Sequence, residues 1–154
     1  MRVYSVEFAN VAVSAVQDLL TVFTGAGKAV KLHSLVIGQI TGATVANLQV
    51  SLKRLPATVT AGSGGTTPIP QPANPGDAAP TVTAAANNTT RSTTSGTAAT
   101  LVADVFNTIN GYLWMPPPED RPVIGLASAA VVSLDSAPSA AMTMSGTLVF
   151  EELF

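Results

Sequence analysis

One histidine, nine acids and no cysteine bound the chemistry open to this chain. His33 lies between Leu32 and Ser34 in an apolar run that reads as a strand. A lone imidazole without thiols cannot build the usual zinc site. A Ser-His-Asp set would have to use this one residue. The acids stand apart except Glu119-Asp120 and Glu151-Glu152. Adjacent strand residues point to opposite faces, so neither pair is a ready acid/base dyad. No serine sits in a nucleophile elbow, and no dinucleotide or P-loop glycine pattern occurs. Gly62, Gly64 and Gly65 lack a phosphate-binding lysine and read as loop punctuation. The expectation is a non-enzyme, with no catalytic residue, metal or cofactor assigned.

The segment GYLWMPPPEDRP holds the residues best suited to contact. Tyr112 and Trp114 share one strand face at i and i+2. They fit core packing, a protein-interface anchor or a carbohydrate platform. Arg121, after the proline run, can pair with an acid, although an exposed ion pair contributes little. Asn87-Asn88-Thr89 and Asn88-Thr89-Thr90 match glycosylation sequons and are read as chance without a secretory signal.

These residues must be positioned by strands. The chain has 154 residues, enough for one domain. It is 47% hydrophobic and 10% charged, against about 25% charged in a typical soluble domain. Its surface must therefore be largely Ser, Thr, Asn, Gln, Gly and Ala. That shortage of charge points to an assembled protein, a Thr-rich secreted β domain being the alternative. Net charge is -2, and Lys53-Arg54 is an isolated basic pair. No dense phosphate-collecting track exists, so direct nucleic-acid binding is not expected. No window reaches the roughly eighteen apolar residues of a spanning helix. The interrupted start MRVYSVEFANVAV does not read as a signal peptide.

The most apolar stretch, Val30 to Leu55, reads as a hairpin turning at Thr41-Gly42-Ala43. Its first strand slips phase between Leu32 and Leu35, as a bulge or a doubly buried strand does. Val3 to Val13 reads as a strand bent near Asn10. Ser14 to Phe23 has helix-like apolar spacing, but Val22-Phe23-Thr24 favours extended structure. Residues 61–100 form a Pro/Gly/Thr-rich tract too long for an ordinary connection. Pro70, Pro72 and their proline neighbours favour extended chain, and Thr81 to Ala86 suits a short strand. Ala98 to Phe106 suits a strand or short helix. Ala127 to Leu134 and Ala141 to Phe150 are closing strands. Met142, Met144, Gly146, Leu148 and Phe150 share one face of the last, and Glu151 to Phe154 follow as a tag. About eight such strands predict an all-β fold: one β-sandwich over 1–154, with a jelly roll as one arrangement. Residues 61–100 would be an extended insertion or arm within it.

The start MRVYSVEF, the Pro/Gly/Thr insert, GYLWMPPPEDRP and the close SAAMTMSGTLVFEE together resemble small virion proteins of tailed bacteriophages. These are head-decoration or cement proteins with a jelly-roll-like β-sandwich. The resemblance implies a virion structural protein at the capsid surface that acts as a homo-oligomer, in the form of a trimer. Its partners would be the major capsid protein or other virion subunits, with no membrane. It makes Tyr112, Trp114 and Arg121 candidate contacts, and Pro70 and Pro72 part of a capsid-clamping arm. The competing expectation is a carbohydrate-binding β-sandwich of a tail or adhesion apparatus.

Overall fold

The computed structural model describes residues 2–41 and 45–153. Along the chain run β1 (Arg2–Val13), β2 (Gln17–Phe23), β3 (Val30–Thr41), β4 (Asn47–Leu55), β5 (Val59–Thr60) and β6 (Gln71–Pro72). They continue as β7 (Thr83–Asn88), β8 (Thr93–Thr94), β9 (Ala99–Asn107), β10 (Tyr112–Trp114), β11 (Val123–Ile124), β12 (Ala129–Leu134) and β13 (Met142–Glu152). A 3-10 turn at Pro118–Asp120 precedes β11.

The main strands pair in nested fashion: β1 with β13, β2 with β12, β3 with β10, β4 with β9. Lateral pairing of β13 with β3 and of β12 with β4 folds this long ribbon into two antiparallel sheets. Sheet I has the order β10-β3-β13-β1-β6, and sheet II the order β7-β2-β12-β4-β9. The fold is an all-β sandwich, and nested pairing of a rolled ribbon is the jelly-roll arrangement. The last strand inserts between two early ones, β3 and β1.

The expected Val30-to-Leu55 hairpin is not formed. β3 lies in sheet I and β4 in sheet II. Each carries an intensely apolar face, and in opposite sheets each helps to supply the other's facing layer. Pairing edge to edge would have left both faces pointing the same way. The turn expected there falls, beyond Thr41, outside the described residues.

Between the sheets lies one core that includes Tyr4, Phe8, Leu20, Leu32, Leu48, Val132, Leu148 and Phe150. Tyr4 and Phe150 stack with ring centroids 5.8 Å apart. Gly146 is required by close approach: a Cβ there would meet the Val36 carbonyl oxygen at 2.5 Å and the Phe8 ring at 2.6 Å.

Three irregularities in the apolar pattern are bulges. In β1 the register shifts between Phe8 and Val11, with Asn10 at φ 54°. In β3 it shifts between Leu32 and Ser34, which leaves His33 as the extra residue. In β2, Leu20 faces Val132 and Asp18 faces Ser133, so Leu19 is extra. An inserted residue breaks the period of two, which accounts for the helix-like spacing of this strand. The strand is instead buried throughout Gln17 to Val22, because sheet I covers one face and the 56–100 segment the other.

That segment folds back on its own chain. β7 joins sheet II beside β2. Ser63 bridges Thr90 and Thr66 bridges Ala86 beyond it, and β5 pairs with β8. Glu151 and Glu152 are not a terminal tag but the last residues of β13.

Candidate functional site

Three of the four ion pairs among the described residues lie where the 56–100 segment docks. Asp18, 2% exposed, accepts from Ser133 Oγ at 2.9 Å and from the Ser92 amide at 2.7 Å. Arg91 Nη2 donates to Asp135 Oδ1 at 2.8 Å and to the Leu134 carbonyl at 2.6 Å. Lys53 donates to the same Asp135 oxygen at 2.8 Å, and Ser51 to the other. Burial alone would raise the Asp135 carboxyl pKa. The hydrogen bonds from Lys53, Ser51 and Arg91, with the Lys53 charge, outweigh burial and hold it below the ordinary value. At the opposite edge Glu152 accepts from the Thr81 and Val82 amides at 2.7 and 3.2 Å. These contacts fasten a segment poor in large side chains. They are structural, since each acid already has its donors.

His33 is used in the same way. Its Nε2 lies 3.1 Å from Glu151 Oε2, and its Nδ1 lies 3.5 Å from Arg121 Nη1. A neutral ring can donate to the carboxylate through Nε2 and accept from Arg121 through Nδ1. Both nitrogens then serve the joint between β3, β13 and the β10–β11 connection, and neither is left for a nucleophile or metal. Among the described residues no group of three or more His, Asp or Glu side chains converges as metal ligands do.

The contact candidates have divergent fates. Tyr112 is 8% exposed and packs against Phe106 with centroids 5.8 Å apart. Burial, then the nearby Asp104 charge, raise its phenol pKa. Trp114 is half-buried against the core, which leaves these aromatics without the open shared face a sugar platform needs. Arg121 turns inward to His33. Pro70 is buried, and half-buried Pro72 pairs with Tyr4 beside β1.

The exposed apolar surface belongs instead to the residues between and after them. Leu113, 64% exposed, lies directly across from Val36 on the outer face of sheet I. Met115 follows in the same phase and is also exposed. At the adjoining end of the sandwich are exposed Ile40, Val45 and Ile109. The two ends of this corner are tied by reciprocal bonds of Ala46 and Thr108, with Thr108 donating its amide to the Ala46 carbonyl and the Ala46 amide donating to Thr108 Oγ1. Gly111, at φ 72°, lies against Ile37, where a Cβ would approach the Ile37 carbonyl oxygen to 2.8 Å. The nearby strand β9 pairs on one side with β4, and exposed Val105 lies along it. Asp104 Oδ1 accepts from the Val105 amide at 2.7 Å, which occupies one edge donor. Alternation alone could have found this surface: if Tyr112 and Trp114 face the core, Leu113 and Met115 face outward.

No protein-family model, curated protein or solved structure matches this chain.

Proposed function

We propose that this chain is a non-enzymatic virion structural protein that decorates or stabilises a bacteriophage capsid through oligomeric contacts. The observation that carries this reading is the apolar corner formed by Val36, Ile40, Val45, Ile109, Leu113 and Met115. Exposed apolar surface gathered in one place marks a site of association, and here it sits on a sandwich whose buried acids and sole histidine already have partners within the chain. The low charge of the chain agrees with a surface made for neighbours. Shallow contacts repeated by symmetry reinforce one another, so a modest patch per subunit suffices to hold a shell. A homotrimer bound to the major capsid protein is the expected form.

The test pairs wild-type protein with a Val36→Asp/Leu113→Asp variant. Light scattering should give an oligomer for the first and a monomer for the second. Only the first should cosediment with purified phage shells. A wild-type chain that stays monomeric and never sediments with shells defeats the proposal.

A further inference from the structure

The open edge of sheet II is a second place of contact, and it does not rest on the capsid reading. β9 ends the sheet order β7-β2-β12-β4-β9. At the far end of that sheet, a bridge from Thr66 covers part of β7. The edge strands of sheet I, β10 and β6, have only three and two residues. β9 has nine, and no strand of the described residues lies along its outer side. Its backbone directions follow from its end. Thr108 donates its amide to the Ala46 carbonyl, on the β4 side. Backbone groups along an antiparallel strand alternate in direction, so Val105 and Ala103 point theirs away from β4. The Asn107 carbonyl, in the same phase, accepts from the Asn110 and Gly111 amides. The Val105 amide finds its acceptor in the Asp104 carboxylate of its own strand.

The side chains set what pairs there. Asp104 lies across from Val50, and Val102 from Leu52. Val50 and Leu52 are buried in the core, and directly opposed residues share a face. Asp104 therefore stands on the inner face at the open side of the sandwich, between half-buried Val102 and buried Phe106. It is exposed, and among the described residues no cationic side chain pairs with it. An inward acid guards an edge against indiscriminate pairing, and so does the register shift opposite Leu52 and Lys53. β9 contains no cation of its own. Two copies joined β9 to β9 would bring acids together or leave both unpaired.

We propose that β9 accepts an extended segment of another polypeptide as a further strand of sheet II, selected by a Lys or Arg that meets Asp104. A carbonyl of the incoming strand takes the Val105 amide, which frees Asp104 to bind the cation. Apolar residues two positions before and after that cation cover Val102 and Phe106. Main-chain bonds supply the affinity, and the alternate side chains supply the selectivity.

The probe is the peptide TVTKTVT, acetylated and amidated at its ends, whose palindromic order fits either strand direction. Titrated into the isotope-labelled full chain, it should shift the Ala103 and Val105 amide signals and saturate at one peptide per chain. TVTETVT should bind about tenfold more weakly, the scale of exchanging an attractive cross-strand charge pair for a repulsive one. Asp104→Asn should make the two peptides equal. N-methylation of the two threonines beside the lysine should abolish binding, since it removes the donors to β9. The proposal is overturned if TVTKTVT does not saturate, if its N-methylated form binds as tightly, or if the lysine and glutamate peptides bind wild type equally. It is equally overturned if the preference for lysine survives Asp104→Asn, or if the shifts fall on the Val36–Leu113 corner and not on β9. Concentration-dependent shifts at Ala103 and Val105 without peptide would also overturn it, since a second copy would then be the partner. Should Asp104→Asn fail to fold, the N-methylated and glutamate peptides decide. Shell cosedimentation reads the corner and this titration reads β9, so either proposal can fail without the other.

Discussion

The two outer faces of the sandwich solve the same problem in opposite ways. Sheet II carries a second apolar cluster of Leu55, Ala129 and Val131, with Phe23 and Val59 packed on it. The chain covers that face with its own 56–100 segment and pins the cover with Asp18, Asp135, Arg91 and Glu152. Sheet I keeps its outer face bare, and near β10 it presents Val36 and Leu113 to solvent. Several of the scarce charges are thus placed where a segment poor in large apolar side chains must be held down. One group of uncovered apolar residues, Val36, Ile40, Leu113 and Met115 among them, lies at this side of the molecule. One face is completed within the molecule, and the other is open to completion from outside.

That contrast is sharpest at Asp18. Replacing it with Ala leaves Arg91 facing an incomplete network and the Ser92 amide without its acceptor. The Arg91 side chain is about a third exposed and its Nε lies 3.8 Å from Asp18, so the cost is set by the hydrogen bonds lost to the buried carboxylate, about 3 kcal/mol. Urea unfolding should report that loss, and limited proteolysis should cut within 61–100 faster than in wild type. Unchanged protection would mean that the cover is held by something other than its charges.

Gly65→Ala attacks the same cover through its backbone. The new methyl would collide with the Ala86 carbonyl, and overpacking of this kind costs about 2 kcal/mol. Hydrogen exchange should accelerate at Ala86 and leave the β3–β13 amides unaffected.

Acid should loosen sheet II before sheet I. The Asp135 pKa is depressed in the folded state, so its contribution is present above the unfolded value, near 3.8. As pH falls from there through the folded pKa, the contribution is lost. Thermal melts between pH 5 and pH 2, on the order set by ordinary carboxyl pKa values, should show a decline in wild type that Asp135→Asn reduces. Equal slopes would remove Asp135 from the account.

The smallest expected stability change is on the bare face. Val36→Ser with Leu113→Ser should alter unfolding free energy by no more than about 0.5 kcal/mol per site, as exposed substitutions do, while self-association weakens. A large loss of stability would mean that these side chains serve the fold rather than a neighbour.

Much of the fold was legible because strand alternation is a local property. The Met142-to-Phe150 face, the bend at Asn10 and the tight place at Gly146 follow from side-chain phase and size. The apolar corner was less legible, because aromatic size drew attention to Tyr112 and Trp114 when their phase carries them inward. The hairpin expected from Val30 to Leu55 failed for a different reason. Alternation records which residues share a face but carries no information on which strand lies alongside.

Composition and phase therefore determined an all-β chain of apolar-faced strands with too few charges for an ordinary solvated surface. Only the tertiary structure decided that β3 and β4 belong to opposite sheets, and that His33 meets Glu151 across 118 positions. It also decided that residues 56–100 roof one sheet. Pairing partners so far apart are selected by the closure of the whole ribbon around a shared core, and that closure depends on every strand at once.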